Sequence, residues 1–241
     1  MIGYLTPMFP SISIAMATFN GAAFLKDQLR SLATQTYLPD ALWITDDGST
    51  DTTQQIVTEF AIAAPFSVNF VKNDKRLGYG RNFLKAACLT SGDFVAFCDQ
   101  DDVWLPNKLE CVARAAKEFT PGLIVHSGRV VDENLKELGH RFPNIEKTTV
   151  IESNFKSDHT FFPGYALVVD RRLIQQLGAI EMMENDSLCT STFAHDQWLC
   201  KTASSARTCV HLSDELVLYR QHASNLIGFQ IDLSSKLEVC T

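Results

Sequence analysis

Basic charge is the scarcest property of this 241-residue chain: 21 Lys and Arg stand against 28 Asp and Glu, for a net charge of −7. That shortage excludes a chain that grips nucleic acid along its phosphates, because nothing here would neutralise such a backbone. It leaves room for a small phosphorylated ligand that arrives with a cation. Long apolar runs are also missing. No stretch approaches the ~18 residues of a membrane span, and the N-terminus has no basic segment followed by an apolar core. The seven cysteines (Cys88, Cys98, Cys111, Cys189, Cys200, Cys209 and Cys240) are an odd set without a CxxC pair. Several lie in apolar runs such as FVAFCDQ and KLECVARAA, so buried reduced thiols and a reducing compartment are expected. These absences together predict a soluble cytoplasmic protein, with attachment to the inner face of the plasma membrane through a partner left open. They set no oligomeric state. Repeats and low-complexity segments are absent as well.

What remains is an ordinary globular balance, 46% hydrophobic and 20% charged, long enough for one substantial α/β domain or two closely packed halves. The first half alternates short apolar runs with helically spaced ones. SISIAMATF reads as a strand ending at Asn20-Gly21, with Asn20 placed to cap a helix carrying Phe24, Leu25, Gln28, Leu29 and Leu32. ALWITDD is a second strand, followed by a helix marked by Ile56, Val57 and Phe60. FSVNFVKN alternates as a third, a helix follows from about Arg81 to Thr90, and DFVAFCDQ is a fourth, nearly continuous apolar strand. Such alternation predicts a mostly parallel sheet with helices on both faces. Beyond it, a helix is expected from Asn107 to Phe119, one or two strands in GLIVHSGRVVD, and a long polar loop from about Leu135 to His159. FFPGYALVVD reads as a turn feeding a strand, FAHDQWLCKTAS as a helix and ELVLYRQHASN as a last strand.

Ligands of open parallel sheets bind beyond the carboxyl ends of the strands. Three polar clusters fall there: Thr18-Phe19-Asn20, Asp46-Asp47-Gly48-Ser49 and Asp99-Gln100-Asp101-Asp102. The last is the sharpest, three carboxylates in four residues ahead of Val103-Trp104. Like charges so close raise one another's pKa, a conflict that a hard divalent ion with oxygen ligands, Mg²⁺ or Mn²⁺, resolves while bridging phosphate oxygens. The plainer alternative is an acidic turn whose Asp102 caps the helix beginning near Pro106. Asp46 or Asp47 can accept from the imide of a uracil or thymine base, or simply form a turn. His195-Asp196 puts a carboxylate at a helix opening, either as a general base for an acceptor hydroxyl or as an N-cap. Tyr219-Arg220-Gln221-His222 offers an imidazole for a metal and a guanidinium for a diphosphate.

In order and spacing, SIAMATFNGAAFLKDQL, WITDDGSTDTT, NDKRLGYGRNF, FCDQDDVWLPNKL, FFPGYALVV, HDQWL and YRQHASN resemble glycosyltransferase family 2, and DQDDVW with HDQWL and YRQH..N resembles its bacterial rhamnosyltransferase-like branch. The resemblance covers nearly the whole chain. It implies a GT-A fold over 1–241, with a nucleotide-sugar half to about residue 115 and an acceptor half from about 116, and inversion at the anomeric carbon. By resemblance, Thr18, Asn20, Asp46 and Asp47 hold the nucleoside, with Asn73, Arg76 and Asn82 in the next nucleotide-side segment. Asp99 and Asp101 match the DxD motif and hold the metal, joined by His222. Gln100 lies within that motif and Asp102 extends it toward the donor sugar. Asp196 occupies the position of the general base, and Trp104, Gly164 and His195 line the acceptor side. The QxxRW signature of processive members is missing, so a single addition per acceptor is expected.

The implied activity is transfer from a nucleoside diphosphate sugar, dTDP-rhamnose or a UDP-hexose, to a glycan or lipid-linked glycan in bacterial cell-surface polysaccharide synthesis. Three other readings compete. A nucleotidyltransferase would open on a glycine-rich loop with Arg and Lys, which SIAMATFNGAAFL lacks. A polyprenyl-phosphate sugar transferase often carries membrane helices. A catalytically inactive sugar-nucleotide-binding module would not need the acid set.

Overall fold

The computed structural model describes residues 9–152, 162–176 and 194–225. Four apolar runs form the parallel core of one mixed sheet: β1 (Ile12–Thr18), β2 (Ala41–Asp46), β3 (Ser67–Lys72) and β4 (Phe94–Cys98). Between them run α1 (Leu25–Ala33), α2 (Thr53–Ala63) and α3 (Tyr79–Leu89). β1 lies centrally, parallel to β2 on one side and β4 on the other, while β3 forms the edge beside β2. Ile12, Ile14, Ala15, Met16, Val95, Ala96 and Phe97 are fully buried, which is why β1 and β4 read as continuous apolar runs rather than alternating ones.

After β4 come the two-residue β5 (Val103–Trp104), α4 (Lys108–Phe119), β6 (Leu123–Val131), β7 (Glu137–Phe142) and β8 (Thr149–Ile151). A 3₁₀ turn (Gly164–Ala166) leads into β9 (Leu167–Asp170) and α5 (Arg171–Gln176). Then follow α6 (His195–Ala206) and β10 (Cys209–Arg220). Among the described residues the sheet has ten strands in the order β3-β2-β1-β4-β9-β6-β10-β5, with β7 on β6 and β8 on β10. β9 is antiparallel to both β4 and β6, and β10 runs parallel to β6. The carboxyl ends of β1, β2, β4 and β10 therefore meet on one side of the sheet. One apolar cluster runs through both halves of the chain, from Ile12 to Tyr219.

Two expectations change. The long polar loop from Leu135 contains two strands, β7 and β8, within its described part; residues 153–159 lie outside the described residues. ELGHRF is polar because β7 is a partly exposed strand, pinned by charge: Arg129 donates to Glu215 and Glu137, and Arg141 donates to Glu215. The Asn20 side chain does not cap α1, whose N-terminal residue is Phe24 without a side-chain cap. Asn20 sits at φ 48°, and its Oδ1 accepts from the Thr50 N–H at 2.9 Å, so it ties the β1 loop to the β2 loop. Cys88, Cys98, Cys111, Cys200 and Cys209 are free thiols; Cys189 and Cys240 fall outside the described residues. Among the described residues no helix is long and apolar enough to cross a membrane.

Candidate active site

The three predicted polar clusters meet as one assembly, held by side chains that hydrogen-bond the backbone of neighbouring loops. The Phe19 N–H donates to Gln100 Oε1 at 3.0 Å and Gln100 Nε2 donates back to the Phe19 carbonyl at 3.2 Å. A β-carbon at Gly21 would lie 2.2 Å from Gln100 Oε1, so only glycine leaves room for this clasp. The Asn20 N–H donates to Ser49 Oγ, and the Ala22 N–H to Asp51.

Asp46 and Asp47 are both buried and both well supplied with donors. Asp46 accepts from the N–H groups of Gly48 and Ser49 and from the hydroxyls of Thr18 and Ser49. Asp47 accepts from the N–H groups of Leu77 and Gly78, at 2.6 and 2.9 Å, and from Asn73 Nδ2. Arg76 lies 3.8 Å from Asp47 and over the Phe19 ring at 4.0 Å. Asn73 also donates to Asn82 Oδ1 and accepts from Lys85, while Asn82 donates to the Thr45 carbonyl. Thr18, Asn20, Asp46, Asp47, Asn73, Arg76 and Asn82 thus form one network at the ends of β1 and β2.

The acidic turn after β4 is built differently. Burial first, and then the charges of Asp101 and Asp196, hold Asp99 well above the usual carboxylate range, with Lys108 opposing the rise. Asp101 accepts from His222 Nε2 at 2.9 Å. The Ser224 N–H donates to His222 Nδ1, so the neutral tautomer that fits carries its proton on Nε2. The imidazole stacks on Phe24 with centroids 4.4 Å apart. Asp102 is buried completely, its Oδ1 accepting the Arg220 N–H at 2.9 Å and its Oδ2 without a partner. It lies in the interior, and it does not cap α4, which has no side-chain cap. Burial and its acidic neighbours push Asp102 well above its ordinary pKa as well. The Arg220 guanidinium is likewise interior, pairing with Asp27 at 3.2 Å and lying over the Phe24 ring rather than toward an open phosphate position.

Asp196 stands at the start of α6, 4% exposed. Burial raises its pKa to about 6, against N–H groups of Gln197 and Gly164 that stabilise the anion. It is within electrostatic reach of Asp99 and also raises the Tyr79 phenol, after burial of that ring. The chain thus brings the proposed base and the DxD-like turn together across a sequence separation of nearly one hundred residues. Of the residues expected to line the acceptor side, Trp104 and His195 are instead interior. Trp104 is 1% exposed, with the Lys108 ammonium 3.7 Å from its ring centroid. His195 stacks on Phe83 at 4.3 Å and tilts against Phe97 at 5.3 Å; neither ring nitrogen has a partner, and burial lowers its pKa to about 3. Its aromatic neighbours make it a neutral packing group. Gly164 touches this ring: an added β-carbon would fall 2.9 Å from His195 Nε2. Sequence reading missed Lys108, Tyr79 and Phe24, because a lysine in an amphipathic helix and aromatics near loop ends carry no signal of their own.

A mixed sheet in this order, with acidic loops at its carboxyl edge, defines a GT-A glycosyltransferase fold. It is similar to that of TarS from S. aureus in complex with UDP-GlcNAc, with a TM-score of 0.69 at 22% identity over 89% of this chain. The mannosyltransferase PcManGT from Pyrobaculum calidifontis, in complex with GDP-Man and Mn²⁺, gives a TM-score of 0.66 at 18% identity over 91%. The chain spans 60% and 59% of those two structures. The family-wide profile for glycosyl transferase family 2 matches residues 13–178, and the chain belongs to that family. It is 26% identical over 92% of its length to the dTDP-rhamnosyl transferase RfbG of Shigella flexneri, covering 76% of that protein. It is 33% identical over 41% of its length to WfgD of Escherichia coli, a UDP-Glc:alpha-D-GlcNAc-diphosphoundecaprenol beta-1,3-glucosyltransferase, covering 38% of it.

Two predictions follow from this geometry. Gly164→Ala forces a methyl against an imidazole clamped by Phe83 and Phe97, and should cost about 1–3 kcal/mol as overpacking does. Thermal unfolding should show it, and an unchanged melting temperature would contradict the contact. For Asp99, the folded pKa lies near 8 against an ordinary 3.8, so the folded state binds the proton more tightly and loses stability as pH rises between those values. In chelator-treated protein at pH 8, Asp99→Asn should therefore raise the melting temperature by about 2–4 °C, the shift that ~1 kcal/mol produces in a chain of this size. A fall would show that the carboxylate is stabilising.

Proposed function

We propose that the protein is an inverting, metal-dependent hexosyltransferase that moves a sugar from a nucleoside diphosphate carrier, dTDP-rhamnose or a UDP-hexose, to an acceptor hydroxyl in cell-surface polysaccharide synthesis. The observation that carries this reading is Asp196: a buried carboxyl with a pKa near 6, within electrostatic reach of the acidic turn that closes β4. General bases work best with a pKa near the operating pH. The rhamnosyl relative favours dTDP-rhamnose as donor, and the glucosyl relative with a diphosphoundecaprenol acceptor favours a lipid-linked glycan. Such an acceptor would bring the enzyme to the inner face of the plasma membrane as a cytoplasmic, peripheral protein.

The donor set fits a hard divalent ion. Asp101 Oδ2 and His222 Nε2 lie 2.9 Å apart, close enough to share one cation if the imidazole proton moves from Nε2 to Nδ1 and the Ser224 N–H contact is released. Asp99 adds a carboxyl whose ionisation its surroundings oppose. Among the described residues no group of three His, Cys, Asp or Glu side chains already has metal-binding geometry. Mg²⁺ and Mn²⁺ keep few protein ligands and take the rest from phosphate oxygens and water. Asp99, Asp101 and His222 would hold the ion, and when bound it supplies neutralisation of the charge growing on the departing diphosphate.

The chain's own residues do the remaining work. The network of Thr18, Asn20, Asp46, Asp47, Asn73 and Asn82, with Arg76 over Phe19, frames the nucleoside position up to about residue 115. From the other half, Asp196 takes the proton from the acceptor hydroxyl as that oxygen attacks the anomeric carbon from the face opposite the diphosphate. Gly164 keeps its backbone N–H on Asp196, stabilising the ionised base.

Two outcomes are expected. In a thermal-shift screen of nucleoside diphosphate sugars, stabilisation should need Mn²⁺ or Mg²⁺ and disappear in Asp101→Ala; equal stabilisation after chelation would remove the metal from the account. Asp196→Asn should lower kcat by about 10²-fold with donor binding kept. The wild-type rate should fall below about pH 6, where Asp196 takes up a proton and can no longer accept one. A limb that persists in Asp196→Asn would belong to another group.

A further inference from the structure

Lys108 is a lysine in an unusual place. It is completely buried in the first turn of α4. Burial lowers its pKa to about 7, opposed by Cys98, Asp102 and Asp99. A desolvated ammonium is costly, and such groups persist where specific partners repay the cost. Its partners come from both halves of the site. Nζ donates to the Tyr165 carbonyl at 2.9 Å and lies 3.7 Å from the centroid of Trp104.

Each partner leads to a reacting group. Trp104 lies two residues beyond Asp102, and its backbone N–H donates to Ser31 Oγ at 3.0 Å, which roots this strand against α1. Ser31 Oγ in turn donates to the Gln28 side chain, whose Nε2 donates to the Asp99 carbonyl. Tyr165 follows Gly164, whose N–H donates to Asp196. One ammonium therefore spans the gap between the acidic turn and the turn that orients Asp196.

We propose that Lys108 is a positioning residue, setting the Asp196 carboxylate relative to the acidic turn by holding the Tyr165 carbonyl against the Trp104 ring. It touches neither donor nor acceptor. Its removal should leave the nucleoside framework of Asp46 and Asp47 intact and let the 164–166 turn drift. A drift of about 1 Å costs on the order of 10²-fold in rate when it misplaces a reacting group. This rests on Asp196 acting as the base.

The test is a double-mutant cycle with Lys108→Met, which keeps the length and apolar stem and removes the charge and the donor. Turnover is read as nucleoside diphosphate release from the donor that gives the largest shift in the nucleotide-sugar screen. Lys108→Met should lower kcat at least 10-fold, with donor KM and the Mn²⁺-dependent thermal shift within about 2-fold of wild type. The Lys108→Met/Asp196→Asn enzyme should be no slower than Asp196→Asn by more than about 2-fold, because a misplaced base and a missing base remove the same step. Multiplied losses, or an unchanged kcat in Lys108→Met, overturn the proposal, as does a loss expressed in donor KM. If Lys108→Met does not fold, Lys108→Gln, which retains a donor, enters the same cycle. Failure of both to fold beside a normally folded Asp196→Asn assigns Lys108 to core packing alone. Asp196→Asn is measured first: a wild-type rate there removes the base assignment and this inference with it, whereas a slow Asp196→Asn with multiplied losses overturns only the lysine's role.

Discussion

The site is governed by the balance, at each buried carboxyl, between burial and the hydrogen-bond donors that oppose it. Asp46 and Asp47 are buried and saturated: backbone N–H groups and hydroxyls fill their lone pairs. Asp99 and Asp102 have few donors, and burial with their acidic neighbours raises their pKa values; Asp196 rises too, because burial outweighs the N–H groups of Gln197 and Gly164. A carboxylate in a donor-rich niche is an inert strut, whereas one kept short of donors binds a proton or a cation more tightly than water would allow. The same residue type thus supplies frame and chemistry in one crevice, sorted by environment. Most of the neighbouring structure serves this division, from the Gln100 clasp on Phe19 to the α1 side chains that hold the β4 loop.

The division also explains where the chain carries its instability. Three carboxyls pressed toward neutrality by burial and by one another oppose folding at neutral pH, and the large apolar cluster threading both halves offsets them. Lys108 removes part of that opposition from inside. Removing acids singly should relieve the strain while disabling the site, the usual trade between stability and function.

Much of the frame was legible from residue order. The period-two and near-continuous apolar runs of β1 to β4 gave the parallel core, and the glycines and carboxylates after them marked the functional edge. The polar strand β7 was not legible: it carries ELGHRF, whose stabilisation comes from Arg129, Arg141 and Glu215 meeting across strands far apart in sequence, which no local pattern contains. The motif residues were correctly drawn into one neighbourhood, yet spacing could not say which way each side chain turns. Asp102 and Trp104 alternate inward from a turn whose Asp99 and Asp101 stay partly open. His195, polar by name, is consumed by stacking on Phe83 and Phe97. Asn20 serves a neighbouring loop instead of the helix it precedes. In each case a tertiary partner outcompeted the local preference.

If the two halves meet at a reacting centre, as proposed, they need a reference between them that hydrogen bonds within either half cannot supply. The Asp46–Asp47 network is internally connected at the ends of β1 and β2, while Asp196 is held by a short turn and the first residues of α6. Several connections cross that seam: the pairing of β9 with β4 and of β10 with β5, Arg220 on Asp102 and Asp27, His222 on Asp101, the His195 ring between Phe83, Phe97 and Gly164, and the Lys108 ammonium between Trp104 and Tyr165. The strand pairings and the His195 stacking are backbone or apolar contacts that tolerate small slides, and the Arg220 and His222 contacts tie the end of β10 to the acidic turn and α1 rather than to the turn carrying Tyr165. The ammonium is different, because moving it off the Tyr165 carbonyl leaves a buried charge without its acceptor, and that cost rises steeply with displacement. A desolvated lysine is thus a stiffer spacer than a packed side chain, which gives a physical reason for burying so expensive a group beside an acidic turn.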